Sequence, residues 1–298
     1  MTPPITNLES FRDVLAAYCL PRVILSALEL DLFTTIAAET WSIEKLAETL
    51  HVSRRGLEIL GRNLATCGLL RKRGKVYRNN SLAATVLNAK HPKYRGAYIE
   101  LMKSQWTDWS RLTGTVRSGR PVDHDEPEAP GYRRQFTWAM HHRSVDVAAR
   151  VAAQIDLRQA GNLLDLGGGP GTYAMAFLAR HSKLKATICD RAAALEVAKE
   201  IAARHRARKR LSYLALNFID EPLSWNYDVV WYSNVLHIYS PEENQALFRR
   251  VFSSLSRRTA DHSGCISSRS GGSLSARSEP LCREHVAIHG EWQHVFIA

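Results

Sequence analysis

No apolar run in this 298-residue chain approaches the ~18 residues needed to cross a membrane, and Met1 to Glu9 lacks the basic-then-apolar order of a secretion signal. Cysteine is scarce and unpatterned. Cys19, Cys67, Cys189, Cys265 and Cys282 are odd in number and widely spaced, which excludes a disulfide framework and fits a reducing cytoplasm. Acid is short relative to base, leaving a formal net charge of +11, so nucleic acid has to be considered. Residues 1–120 hold 18 Lys/Arg against 10 Asp/Glu. A further basic run, Arg204 to Arg210, falls at a predicted helix end, where it complements the helix dipole. What remains is an ordinary globular composition, 45% hydrophobic and 23% charged, long enough for about two domains.

The most informative stretch is Asn162-Leu163-Leu164-Asp165-Leu166-Gly167-Gly168-Gly169-Pro170-Gly171-Thr172. An apolar run with an embedded acid enters a glycine-rich turn, and Tyr173 to Arg180 then reads as a helix. This predicts a buried parallel strand, a tight turn and a helix N-terminus able to cradle a nucleotide-like ligand. Gly167, Gly169 and Gly171 permit positive φ and close backbone approach. Two phosphate signatures are missing: no Gly-Lys-Ser/Thr follows, and the spacing is Asp-x-Gly-x-Gly-x-Gly, not G-x-G-x-x-G. The pattern resembles motif I of the class I S-adenosylmethionine-dependent methyltransferases. That resemblance implies that S-adenosyl-L-methionine is the cofactor, with its amino-acid part held by the turn.

Ahead of this stretch, Leu15 to Ile36 reads as a helix kinked near Pro21. A second helix is opened by Ser42 (Ile43, Leu46, Ala47, Leu50), and a third by Ser53 (Leu57, Leu60, Leu64). Leu69 to Arg78 reads as a hairpin turning at Arg73-Gly74. Three helices and a hairpin make a winged helix. Such a module can read DNA through its third helix, which carries Arg54, Arg55 and Arg62. The text from Leu25 to Asn80 resembles instead the N-terminal domain of the plant-type O-methyltransferases, a family that includes bacterial enzymes acting on aromatic natural products. The resemblance implies a homodimer formed through this domain. Tyr98 to Val116 continues helical, with Trp106, Trp109 and Leu112 as an aromatic stripe expected in the core. Residues 119–130 read as a Pro- and acid-rich linker. Tyr132 to Ile155 is a further helix, and by the resemblance it lines the acceptor pocket. Phe136, Trp138, Met140 and His141 are its substrate-contact candidates.

Downstream, Leu184 to Cys189 reads as a strand ending in Asp190, an acid able either to accept both hydroxyls of a ribose or to cap the helix that follows. The resemblance assigns it the cofactor's ribose. Leu211 to Leu216 is the next strand, then Asn217 and Phe218. By the resemblance Asn217 stands where an Asp usually meets the adenine amino group, and Phe218 packs either on the adenine or in the core. Tyr227 to Tyr232 leads into Ser233-Asn234-Val235-Leu236-His237. Ser233 is grouped with the cofactor residues. A His after a strand is in general a structural hydrogen-bonder. The run resembles the family's S-N-V-L-H-D-W, with Ile238-Tyr239 replacing Asp-Trp, and this resemblance makes His237 the general base.

The resemblance ends near Leu255, where a turn and a fifth apolar strand are expected and Ser/Arg/Gly-rich text stands instead. Residues 257–298 are therefore expected to be disordered and to lie outside the family pattern, the product of an out-of-frame or truncated reading. They would leave the sheet incomplete, with an open edge at its fourth strand. Cys265, Cys282, His285 and His289 lack the spacing of a zinc site, so no metal is expected. The fold class expected is α/β. A mainly α winged-helix dimerisation domain over 1–118 precedes a Rossmann-like class I methyltransferase domain over 131–256 that is incomplete at its C-terminus. The function expected is O-methylation of an aromatic or polyketide-like small molecule in the cytoplasm, with no membrane or nucleic-acid partner. The alternatives are a winged-helix DNA-binding regulator and a cofactor-binding relative without methyl transfer.

Overall fold

The computed structural model describes residues 4–120, 130–222, 227–253, 265–269, 274–277 and 292–297, the last three stretches as backbone strands. The chain divides into two compact units, Met1–Pro121 and Val122–Ala298.

The first unit runs α1 (Leu8–Ala16), α2 (Cys19–Glu29), α3 (Leu32–Ile36), β1 (Trp41–Ser42), α4 (Ile43–Thr49), α5 (Arg54–Thr66), β2 (Leu70–Arg73), β3 (Val76–Asn79), α6 (Ser81–Val86), α7 (Gly96–Ser110) and α8 (Leu112–Ser118). Helix formation starts earlier than the sequence predicts, because Asn7 and Ser10 form a reciprocal capping box. The chain also breaks before Cys19 and not at Pro21. Pro21 occupies the first turn of α2, where a missing N–H costs nothing. Ser42 and Ser53 cap α4 and α5 through their hydroxyls, as their positions predict. Strands β2 and β3 form the expected hairpin and β1 joins β3, giving a three-stranded antiparallel sheet. Leu32, Phe33, Ile36, Leu46, Leu64 and Tyr77 are the centre of its core. Buried Asn79 donates to the carbonyls of Phe33 (2.8 Å) and Ala37 (2.9 Å), closing the end of α3 where Ala37 turns to positive φ.

The stripe of Trp106, Trp109 and Leu112 is not core. These residues are 40%, 69% and 47% exposed, and the stripe is split between α7, which ends at Ser110, and α8. Trp106 and Trp109 border an apolar cavity of about 710 Å³ together with Tyr18, Leu28, Leu87 and Met102.

The second unit opens with the long α9 (Pro130–Gln154). It continues β4 (Asn162–Leu166), α10 (Thr172–Arg180), β5 (Lys185–Asp190), α11 (Ala192–Ala202), β6 (Leu211–Ala215), β7 (Val229–Ser233) and α12 (Pro241–Ser253), followed by β8 (Cys265–Arg269), β9 (Leu274–Arg277) and β10 (Trp292–Ile297). The sheet order is β6-β5-β4-β7-β10-β8-β9. Strands β4 to β7 are parallel, and the apolar runs of the central β4 and β7 are buried on both faces, as helix-covered parallel strands require. Alanines of α9 join Phe177, Leu178 and Trp231 in one core layer, while Leu247, Phe248 and Val251 of α12 pack the other.

One expectation about residues after 256 is corrected. Among the described residues the sheet has seven strands, and its fourth is not an open edge. β10 lies antiparallel along β7, with His294 opposite Ser233, and carries β8 and β9 beyond it. The stretch Trp292-Gln-His-Val-Phe-Ile297 has the aromatic and β-branched content of a strand, a signal hidden behind the Ser/Arg/Gly-rich text that precedes it. Cys265 falls on β8, and Cys282, His285 and His289 lie outside the described residues, as does most of the 119–130 linker.

One polar clamp holds the parallel half together. The Arg210 guanidinium donates to the carbonyls of Leu178 (2.6 Å), His181 (2.6 Å) and Leu184 (2.7 Å), closing the turn between α10 and β5. Arg210→Ala should lower unfolding free energy by about 2–3 kcal/mol in urea titration, since three carbonyls lose a charged donor at once. Lys in its place should recover only part of that, having no planar fork.

Candidate functional site

The turn after β4 is built by backbone geometry that only glycine adopts freely. Gly167, Gly169 and Gly171 all have positive φ, at 67°, 49° and 68°. At two of them space is also decisive. A Cβ on Gly167 would stand 2.7 Å from Val235, and one on Gly171 would collide with Ile188. The turn is tied to the neighbouring strand by Gly167 N–H donating to the Cys189 carbonyl at 2.8 Å. Helix α10 therefore begins directly above the carboxyl ends of β4 and β5.

Two acids stand at this turn. Asp165 is 2% exposed and accepts from the Ala174 N–H at 3.2 Å. Burial pushes its pKa up to about 7; the Ala174 N–H opposes this and the nearby Asp190 charge adds to it. Asp190, at the end of β5, accepts from Gly169 N–H and Arg191 N–H, each at 2.7 Å. Its pKa is also raised, by burial first, against the pull of these N–H groups and of Arg133 and Arg191. The helix-cap reading of Asp190 does not hold. Arg191 is the N-cap of α11 and makes no side-chain cap, so Asp190 faces the glycine turn. Each of its oxygens keeps a lone pair for a ligand hydroxyl.

The other predicted cofactor residues divide. Phe218 is buried beside Tyr232 and Tyr239, and its ring edge comes within 3.4 Å of where a Gly167 Cβ would stand, so it belongs to the core and to the wall of the turn. Asn217 is exposed and its amide donates to Asp220 at 2.6 Å. Ser233 is buried at the end of β7, accepts from the Asn234 amide at 2.9 Å, and shares a hydrogen bond with the Tyr173 hydroxyl.

The four substrate-contact candidates on α9 do not share a face. Phe136 and Met140, four residues apart, lie on one side, Phe136 stacked on Tyr132. Trp138 and His141 lie on another, with ring centroids 5.8 Å apart. His141 Nδ1 is 2.9 Å from the Thr172 hydroxyl, which ties α9 to the glycine turn.

His237 follows β7 in a single 3-10 turn, Leu236–Ile238, and is exposed. The chain enters that turn through Asn234, a non-glycine residue at φ 58°. Sequence reasoning missed two residues that shape this corner. The Tyr173 hydroxyl has Ser233, Asn234 and, on α9, Ser144 as polar neighbours, which oppose the burial that raises its pKa. Asn244, fully buried on α12, binds the carbonyls of the turn. The only signal of Asn244 was an amide in the apolar stripe of Leu247, Phe248 and Val251.

A raised carboxyl pKa has a definite sign in stability. Between the ordinary aspartate range near 4 and about 7, the unfolded chain has lost the Asp165 proton and the folded chain keeps it, so stability falls as pH rises through this window. Without ligand, the Tm difference between the wild type and Asp165→Asn should shift in favour of the variant from pH 5 to pH 8. A difference independent of pH would show that Asp165 ionises normally.

Comparison with known proteins places this geometry. A model of the O-methyltransferase domain matches residues 109–261, and one of the O-methyltransferase dimerisation domain matches residues 13–89. The chain is 28% identical over 263 residues to 3-hydroxy-5-methyl-1-naphthoate 3-O-methyltransferase of Streptomyces sahachiroi, covering 85% of this chain and 76% of that one. It is 27% identical to the tetracenomycin polyketide synthesis 8-O-methyl transferase of Streptomyces glaucescens, covering 85% and 77%. Among solved structures, human N-acetylserotonin methyltransferase in complex with S-adenosylmethionine shares the fold, with a TM-score of 0.69 at 23% identity, over 85% of this chain and 78% of that one. The glycine turn with its two acids, the parallel sheet and both domain matches agree: the chain belongs to the S-adenosylmethionine-dependent O-methyltransferase family.

Proposed function

We propose that this protein methylates a hydroxyl of an aromatic or polyketide-like small molecule, with His237 as the general base. The observation that carries the reading is the convergence, at the carboxyl ends of β4, β5 and β7, of the glycine turn, Asp165, Asp190 and the His237 turn. Ligands of open α/β sheets bind at such ends. The named relatives are a 3-O-methyltransferase of a hydroxynaphthoate and an 8-O-methyl transferase of tetracenomycin polyketide synthesis, and this supports the acceptor class.

The residues present fit the cofactor. Asp165 is a buried carboxylate with a single N–H partner at a turn that bears no cationic side chain, suited to a ligand ammonium. Asp190 would take the ribose hydroxyls, and the wall of Phe218, with Asn217 and Ser233 beside it, would border the adenosine. When bound, S-adenosylmethionine supplies an electrophilic methyl on a sulfonium centre. The chain's own part is to hold the acceptor oxygen in line and remove its proton. An imidazole nitrogen can take the proton of a phenol whose oxygen gains nucleophilicity as the proton leaves. Proximity and orientation supply the rest. The α9 candidates Phe136, Trp138, Met140 and His141 keep the acceptor role we assign to them, and His141 also ties the helix to the turn through Thr172.

We also infer a homodimer built through residues 1–118, with 119–130 as linker and 131–256 as the catalytic part. Helix α1 has no buried residue, and Leu8, Phe11 and Leu15 stand exposed along one face of it. No helix among the described residues is long and apolar enough to cross a membrane. Two of the three arginines suited to DNA are engaged, Arg54 with Glu44 at 2.8 Å and Arg62 with Glu58 at 2.6 Å, which weakens the regulator reading.

His237→Ala should bind S-adenosylmethionine like the wild type in calorimetry and lose about 10²- to 10⁴-fold in kcat on a phenol panel. An unchanged rate removes His237 from the chemistry. Asp190→Ala should abolish cofactor binding while remaining folded by circular dichroism. Leu8→Asp with Phe11→Asp should elute as a monomer where the wild type elutes as a dimer; identical elution refutes the dimer surface.

A further inference from the structure

An exposed base has to be aimed by its backbone, because its own packing does not hold it. His237 sits in the middle of one short turn, flanked by Leu236 and Ile238. Asn244 reaches that turn from α12 and is 0% exposed. Its Nδ2 lies 2.9 Å from the Leu236 carbonyl, 3.0 Å from that of Tyr239 and 3.0 Å from that of Ser240. Its Oδ1 accepts from the Tyr232 hydroxyl at 3.1 Å, which decides which end of the amide faces the turn.

An asparagine at the inner edge of a core stripe is costly unless every polar atom is met. Here the amide's two hydrogens are shared among three carbonyls, two of which bracket His237 within four residues. A leucine there would leave those carbonyls without their donor. The feature is therefore better explained by the turn than by the core.

We propose that Asn244 is a positioning residue for methyl transfer: its amide, oriented by Tyr232, grips the carbonyls on both sides of His237 and fixes where the imidazole stands. This rests on the reading of His237 as the base.

The test uses the full-length protein with S-adenosylmethionine and 3-hydroxy-5-methyl-1-naphthoate. Asn244→Ala is expected to lower kcat about 10- to 100-fold, the cost of a small misplacement, and to leave cofactor Kd and acceptor KM within twofold. The same change in the His237→Ala background should cost nothing more. In the NMR spectrum, the His237 ring signal, identified by its loss in His237→Ala, should shift or broaden. An unchanged kcat, an equal loss in both backgrounds, or a loss confined to cofactor Kd overturns the proposal. If Asn244→Ala does not fold, Tyr232→Phe frees the amide without emptying the core. It should show a smaller loss in the same direction, and no effect on either kcat or the ring signal overturns the proposal. Should His237→Ala turn over at full rate, the base reading falls on its own. The positioning claim is then decided by the ring signal, and an unmoved signal overturns it.

Discussion

The second unit depends on one constraint, the need to end a buried strand and start a helix within five residues. Three left-handed glycines between Leu166 and Thr172 do this, and the Gly167 contact to the Cys189 carbonyl fixes the turn to the adjacent strand. Because the turn is that tight, the first backbone groups of α10 lie beside the ends of β4 and β5, where Asp165 and Asp190 also stand. Side chains at Gly167 and Gly171 would meet Val235 and Ile188, so the turn is packed against the very segments that carry the rest of the site. Fold and site share the same few atoms.

The electrostatics follow from that packing. Two carboxylates are buried close together with backbone N–H groups as their main support, and both are pushed toward the neutral form. Such a pocket favours a cationic ligand that restores their charge, which agrees with a sulfonium and ammonium donor and not with a phosphate. The His237 corner is built on the opposite plan. Its catalytic candidate is exposed, and the polar groups that shape it, Ser233, Tyr173 and Asn244, are buried. A reacting group must meet its acceptor, while the groups that aim it gain precision from being dry and fully paired.

Two expectations failed for identifiable reasons. The Trp106–Trp109 stripe has the spacing of a core face, but spacing shows only that the residues share a side, not that anything covers it. The stretch after 256 lacks periodicity at its start, which hid the β-forming text of β10 at its end.

The sequence by itself determined the family and most elements up to α12. Glycine spacing with an embedded acid is a local requirement, helix caps at Ser42 and Ser53 act over three residues, and apolar strand runs record burial on both faces. It also marked Asp190 and His237, because each stands at a strand end that the pattern locates. Only the tertiary structure decided what those residues face. That Asp190 reaches Gly169 across the sheet end, that Arg210 closes a turn more than 25 residues upstream of it, and that Asn244 serves the His237 turn all depend on contacts between segments distant in the chain or on opposite sides of a turn. The orientation of a polar side chain is set by whichever partner the fold brings within about 3 Å, and no periodicity in the chain encodes that partner.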